Sequence, residues 1–259
     1  MKMDKQKENS LAESVRYIGH AARYRLPGRF FKKYWFWFVD PADVENVDMA
    51  TFFSYNNIEA PGFKRRTRLT SIIDLSQDLD LIWSKMRKSF ICRQIEKGER
   101  NGIIVKQDNN FFEFKKIYYR FRRNKKLHGD RFESFEQNGV EFSAYFSEKM
   151  IAGGIFIEGN GCMRALVLAS ERLGGIDGRM RDIIGQANRL LIWEAVKYAK
   201  KNGFSIFDLG GIAPDSKDKG QRTLSEFKES FGGERRNSYY YTKVYSKLLK
   251  FWLRLKKIK

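Results

Sequence analysis

The 259-residue chain has only two cysteines, two histidines and four prolines, and no apolar run approaches the roughly 20 residues needed to cross a bilayer. Cys92 and Cys162 lie far apart in the sequence, with no cluster of histidines beside either, which argues against a disulfide framework and a zinc site. A reducing cytoplasm suits such thiols. His20 and His128 have no companions at catalytic spacing. No Ser-His-Asp grouping, phosphate-loop lysine motif or metal-ligand spacing is present, so no metal and no tightly bound cofactor is expected. The first ten residues are polar and carry no fold information. The expectation is a cytoplasmic protein that neither is secreted nor spans a membrane.

Positive charge is abundant. Fifty Lys and Arg oppose 31 Asp and Glu, giving a formal charge of +19. A field of this size attracts polyanions: nucleic acid, the pyrophosphate of a lipid-linked precursor, a phosphopantetheine donor or an anionic membrane face. The chain is long enough to bury roughly three quarters of its unfolded surface, as one large domain or two small fused ones.

Residues 30–39 concentrate aromatics (Phe30, Phe31, Tyr34, Trp35, Phe36, Trp37, Phe38) and stop at Asp40-Pro41, the pattern of a buried strand or short helix. A Pro61-Gly62 turn precedes Lys64-Arg65-Arg66-Thr67-Arg68, which reads as a linker. Residues 76–98 have helical character with Ser76 as cap. Residues 111–127 form a basic helix, with Phe111, Phe114, Ile117, Tyr118 and Phe121 at three-and-four spacing. Three short strands follow at 140–146, 151–158 and 163–169, an antiparallel meander. A helix over 186–202 closes at Gly203 and leads into a strand over 204–209. The tail, residues 245–259, interleaves Tyr245, Leu248, Leu249, Trp252, Leu255 and Ile258 with Lys247, Lys250, Arg254, Lys256 and Lys257. It is a basic amphipathic helix, suited either to docking on its own domain or to lying on an anionic inner membrane surface.

The most informative stretch is Phe207-Asp208-Leu209-Gly210-Gly211-Ile212, followed by Glu226-Phe227-Lys228-Glu229-Ser230-Phe231-Gly232-Gly233-Glu234. Each ends in a glycine pair, where backbone must approach something closely. Together they resemble the signature of the FemAB-like peptidoglycan-bridge aminoacyltransferases, a branch of the GNAT-fold N-acyltransferases. Thr70 to Ser76, Ile82-Trp83-Ser84-Lys85-Met86-Arg87, Arg93 to Gly98, Ile151-Ala152-Gly153-Gly154-Ile155-Phe156 and Asn188 to Ala195 resemble other parts of that family's pattern, in family order. The resemblance implies an α/β fold: a GNAT-like mixed sheet flanked by helices, with a shortened first half over 1–130, a complete acyltransferase half over 131–244 and the tail helix over 245–259.

It also implies an activity, the transfer of an acyl or aminoacyl group to an amine on a cell-envelope precursor. That amine belongs to an amino sugar of a surface polysaccharide or to a peptidoglycan stem peptide. The donor is an acyl-CoA, another acyl thioester or an aminoacyl-tRNA. A non-catalytic, basic RNA-binding or membrane-surface module with the same fold is the alternative. By resemblance Lys228 sits by the reacting groups, where a cation stabilises a developing oxyanion, and Phe227 shapes its pocket. Asp208 either orients the acceptor amine or caps the glycine turn. Gly210 and Gly211 line the acceptor side, and Arg87, Arg93 and Lys97 lie where the family binds acceptor phosphates. In a GNAT fold two central strands splay apart and amides at a helix start hold the donor phosphate. Residues 181–188 correspond to that turn, which places Arg181, Gly185, Ala187 and Asn188 at the donor, although Asp182 occupies a position where acetyltransferases have Arg or Gln.

Overall fold

The computed structural model describes residues 18–26, 29–86, 88–127, 132–136, 138–173 and 177–257. The chain divides into two compact units: the first holds the residues up to Leu69, Glu133–Asn138 and Asn237 onward, and the second holds Thr70–Phe132 and Gly139–Arg236. This division differs from the one drawn at residues 130 and 244. The basic helices belong with the meander, and the tail helix belongs with the amino-terminal strands, because strand partners are chosen in space and not along the chain.

In the first unit β1 (Ile18–Leu26) and β2 (Arg29–Trp37) form an antiparallel hairpin. β2 runs parallel to β3 (Met49–Ser54), which pairs antiparallel with β10 (Glu234–Val244). The aromatic run is therefore a strand. Phe36, Ala50, Phe52 and Tyr241 form its core, with the rings of Phe36 and Phe52 stacked 4.5 Å apart. The Tyr241 hydroxyl donates to the carbonyl of Asn56 (2.8 Å) and accepts from the amide of Ile58 (2.9 Å), pinning the loop after β3. The short α4 (Glu133–Glu136) and the tail helix α7 (Lys247–Lys257) complete the unit.

β4 (Lys64–Asp74) passes from the first unit into the second. The basic run expected to be a linker is its outer half: Lys64 to Arg68 are exposed, while Thr70 and Ser71 are buried. Strands β5 (Ile104–Lys106), β6 (Val140–Phe146), β7 (Lys149–Gly159), β8 (Cys162–Ser170) and β9 (Ile206–Ile212) complete the mixed sheet of the second unit, in the order β4-β9-β8-β7-β6-β5. The meander forms as expected: β6, β7 and β8 are successive antiparallel partners. Its neighbour β9 runs parallel to β8, which requires a long crossover between them.

That crossover is α5 (Gly178–Lys201), which starts eight residues before the Gln186 start expected from sequence. The Asp177 carboxylate accepts from the amide of Met180 at 2.7 Å and caps the true first turn. Ile183, Ile184, Ala187, Leu190, Leu191, Ala195 and Ala199 recur at helical spacing and pack into the main core. The helix expected over 76–98 is broken: α1 (Leu79–Lys85), a π-helical turn (Lys88–Cys92) and α2 (Arg93–Arg100) follow one another. Ser76 does not cap it; its amide donates to the Asp74 side chain in the preceding turn (2.9 Å). Ile82, Met86, Ile91 and Ile95 still share one core, and the rings of Trp83 and Trp193 lie 5.0 Å apart.

Another helix, α3 (Phe111–Asn124), buries Phe114, Ile117 and Tyr118. Its approach to the sheet depends on Gly153, where an added Cβ would lie 2.4 Å from the Phe114 ring. The remaining helix, α6 (Lys219–Glu229), follows β9 and is capped by Asp218, whose side chain accepts from the amide of Gln221 (2.9 Å). Among the described residues no helix is long and apolar enough to cross a membrane. Gly153→Ala overpacks the contact between α3 and β7 and is expected to cost about 1–3 kcal/mol; urea denaturation of the variant beside the parent protein measures it.

Candidate active site

The site forms where two parallel strands part. β8 and β9 pair at three positions only, Cys162 with Ile206, Met163 with Phe207 and Arg164 with Asp208. Beyond this register β8 continues to Ser170 and β9 to Ile212 without pairing. A register shift in the β7 ladder between Ile155 and Phe156 adds an extra residue, Leu166, to β8 immediately past the last pair. The result is the splay between central strands expected of a GNAT-type sheet.

The last pair is ionic. The Arg164 guanidinium donates to Asp208 Oδ2 and, at 3.2 Å, to Thr70 Oγ1, and the Thr70 hydroxyl donates to Asp208 Oδ1. Arg164 is 5% exposed, while Asp208 and Thr70 are fully buried. The second acceptor site of Oδ1 is taken by the amide of Gly210 at 2.7 Å, an Asx-type turn that bends the backbone straight after the strand. Both carboxylate oxygens are therefore engaged. Asp208 makes the turn-closing contact that was one of the two roles expected from sequence, toward Gly210.

Gly210 has φ +88°, and a Cβ there would lie 3.1 Å from both the Ala165 carbonyl and Lys228 Nζ. Only glycine meets that backbone and leaves room for the lysine. Lys228, in the last turn of α6, donates from Nζ to the carbonyl of Gly211 at 2.8 Å. Its helix is tied to the exit of β9 by the Ala213 amide, which donates to the buried Ser225 hydroxyl at 2.8 Å. Burial of the half-buried ammonium, and then the nearby Arg164 guanidinium, lower the Lys228 pKa to about 8, partly opposed by Asp208. The unfolded chain thus holds this proton more tightly. The destabilisation is complete below about pH 8 and is relieved as pH rises from there towards the ordinary lysine value of 10.5.

Phe227 packs edge-on against buried Phe231 at 5.4 Å and lies beneath the Arg189 guanidinium, also 5.4 Å away. Arg189 stands 4.9 Å from the Phe90 ring as well and donates to the Gly185 carbonyl at 2.6 Å. Its pKa is lowered by burial and by nearby Arg172. Cys162, on the first β8–β9 pair, is buried, and burial together with Asp208 pushes its thiol up to about 11; it is no thiolate nucleophile at neutral pH.

The structure thus brings together Lys228, Phe227, Asp208, Gly210 and Gly211. The expected donor residues are distributed differently. Residues 181–188 form no turn at a helix start: Gly185 and Ala187 are buried in the body of α5, where Ala187 packs in the core. Asn188 donates to the Ser170 hydroxyl at 3.3 Å and to the Ile184 carbonyl at 2.9 Å, and Arg181 is exposed on the helix. The apolar spacing of Ile183, Ile184 and Ala187 outweighs the turn-like glycine. Of the expected acceptor residues, Arg93 is exposed at the start of α2, Lys97 lines a separate cavity with α5, and Arg87 lies outside the described residues. Sequence reasoning missed Arg164, Thr70 and Arg189 as site residues. A single arginine inside the apolar strand Cys-Met-Arg-Ala-Leu-Val was the available signal for the first, whereas nothing local marks Arg189.

No protein-family model matches the sequence, and no curated protein is significantly similar to it. The structure, in contrast, is similar to that of FemX, with a TM-score of 0.60 at 11% identity over 88% of this chain and 84% of that one. The chain shares the fold of FemX. It is likewise similar to a domain from Agrobacterium fabrum described as the C-terminal domain of a lysylphosphatidylglycerol synthetase, with a TM-score of 0.54 at 12% identity over 87% of this chain and 79% of that one. L-PGS from Bacillus licheniformis gives a TM-score of 0.50 at 14% identity over 80% and 71% of the two chains. The FemAB-like resemblance read from the motifs thus holds at the level of the fold.

Asp208→Ala strands the Arg164 charge in the interior and is expected to cost about 3–5 kcal/mol of stability. Denaturant titration checks this, with an exposed control such as Asp215→Ala giving a change within about 0.5 kcal/mol.

Proposed function

We propose that the protein is an N-acyltransferase that passes an acyl or aminoacyl group to an amine at the opening between β8 and β9. The observation that carries this reading is the Lys228 ammonium, half-buried beside the strand splay and held against the Gly211 carbonyl. The reaction needs an amine nitrogen to attack the donor carbonyl, a proton to leave the nitrogen, and the oxyanion to be stabilised until the ester or thioester bond breaks. The leaving oxygen or sulfur then takes up a proton. A desolvated cation near the reacting carbonyl supplies that stabilisation. Arg164, Asp208 and Thr70 act as positioning residues for the Gly210-Gly211 turn.

An aminoacyl-tRNA fits the donor side better than acyl-CoA. The start of α5 is already capped by the Asp177 carboxylate, and Asp182 follows in the next turn, which disfavours a pyrophosphate at that helix terminus. The exposed cations at the end of α3 and in the turn that follows it, Arg123, Lys125 and Lys126, suit an RNA backbone. The names of FemX and of the lysylphosphatidylglycerol synthetases support a cell-envelope amine or lipid as acceptor class, among which we favour an amine-bearing precursor presented at the membrane.

The decisive assay offers charged tRNA or labelled acyl thioesters with cell extract and follows a mass increment on an amine-bearing product. Ribonuclease should abolish transfer; resistance to it would move the donor to a thioester. With Lys228→Met the rate is expected to fall by about 10²–10³ with folding intact. Because the ammonium is the working form, the parent rate should fall as pH rises through about 8, the value cited for Lys228. A rate that rises through the same pH in the parent protein but not in Lys228→Met would mean that the free amine of Lys228 acts as a base. Absence of any donor consumption, together with firm RNA or vesicle binding, would favour the non-catalytic module.

The reading includes a peripheral contact with anionic lipid. α7 exposes Leu248, Phe251 and Leu255 along one stripe, with Lys247, Lys250 and Arg254 exposed beside them and no acidic residue in the helix. Such a face satisfies both the apolar boundary and the charge of an anionic bilayer. Co-sedimentation is expected with phosphatidylglycerol-containing vesicles, much less with phosphatidylcholine alone, and to be lost in Phe251→Ser/Leu255→Ser.

A further inference from the structure

A cavity of about 290 Å³ in the second unit lies outside the machinery assigned above, walled by α2, α5 and the end of β6. Its lining comprises Lys97 from α2, Asn101 at the end of that helix, Arg179, Asp182, Ile183 and Gln186 from α5, and Phe146. We propose that it binds a free α-amino acid, through a carboxylate and an ammonium carried on one small molecule.

The wall contains a buried polar group with spare capacity. Gln186 is 1% exposed, and one end of its amide is used, its Oε1 accepting from Asn101 Nδ2 at 2.7 Å. The other end makes no hydrogen bond among the described residues. That nitrogen is left as an unused donor at the cavity wall, where a ligand carboxylate or water could accept from it. Around it stand two cations and one carboxylate. Neither Lys97, Arg179 nor Asp182 has an ion-pair partner within 4.0 Å among the described residues.

Charge complementarity narrows the ligand. A simple anion would satisfy Lys97 and Arg179 but meet Asp182, and a simple amine would satisfy Asp182 but meet two cations. A zwitterion pairs its carboxylate with the cations and its ammonium with Asp182. Phe146 and Ile183 supply apolar wall for a side chain, and the volume is at the small end of ligand cavities, which run upward from roughly 300 Å³. The α2 helix is held close here: a Cβ added to Gly98 would lie 3.3 Å from Gln186 Cβ.

Calorimetric titration of the intact protein tests the assignment without any donor or transfer, so its failure leaves the acyltransferase reading standing. The probes are alanine, leucine, lysine and glutamate, with propionate, alaninamide, inorganic phosphate and the dipeptide Ala-Ala as comparators. At least one free amino acid should bind saturably, with propionate, alaninamide and phosphate each about tenfold weaker or worse. Asp182→Asn and the surface variant Lys97→Met/Arg179→Met should each weaken that binding about tenfold; Gln186→Leu should abolish it if the variant retains the parent circular dichroism spectrum. No binding by the parent protein, equal binding of phosphate or propionate, tighter binding of the dipeptide, or unchanged affinity in both charge variants would overturn the proposal.

Discussion

The buried ion pair between Arg164 and Asp208 is the constraint on which the second unit's candidate site rests. Taking either charge out of water alone would cost several kcal/mol, and the pair is tolerable only because the remaining hydrogen-bonding capacity is also used. Thr70 from β4 and the amide of Gly210 supply it. One carboxylate therefore ties three neighbouring strands at the point where β8 and β9 cease to pair. The same carboxylate closes the turn that presents Gly211 to Lys228. Its position at the last common register makes the splay a built feature of the sheet.

Local charge follows from this arrangement. Arg164 and Asp208 offset each other, and Lys228 adds a cation in a place that disfavours it. In the proposed reaction that lysine would meet negative charge developing on a neighbouring oxygen. Gly210 is needed twice, for its left-handed backbone and for the space that the ammonium fills. Phe227, in the last turn of α6, packs edge-on against Phe231 just beyond the helix.

Much of the second unit was legible in sequence because its signals are periodic. The meander over β6–β8 alternates and is punctuated by turns, and α3 carries apolar residues at helical spacing. The outer half of β4 was misread as a linker because Lys64 to Arg68 are all exposed and so have no hydrophobic period to show. The start of α5 was misread because Arg-x-x-x-Gly-x-Ala mimics a phosphate turn, while Asp177 is an equally good cap that nothing local distinguishes from any other aspartate. Around the site, Lys228, Gly210 and Gly211 are recognisable as a pattern. Arg164 is visible as an anomaly in an apolar strand, but its partner lies 44 positions away. Arg189 reaches Phe90 and Phe227 from the middle of a helix, and no neighbour in the chain hints at it.

Composition, periodicity and motif were enough to establish a basic, mixed α/β protein with a lysine and two glycine pairs as its chemical candidates. These are properties of neighbouring residues and of totals, which a chain carries whether or not it is folded. Which carboxylate is engaged, which lysine is desolvated and which helix bears the cavity depend on strand register and helix packing. A buried polar group must find its partner in three dimensions, and a one-residue change of register would face every side chain of β9 the other way. That is why the contact of Asp208 with Gly210 is visible in the fold and not in the chain.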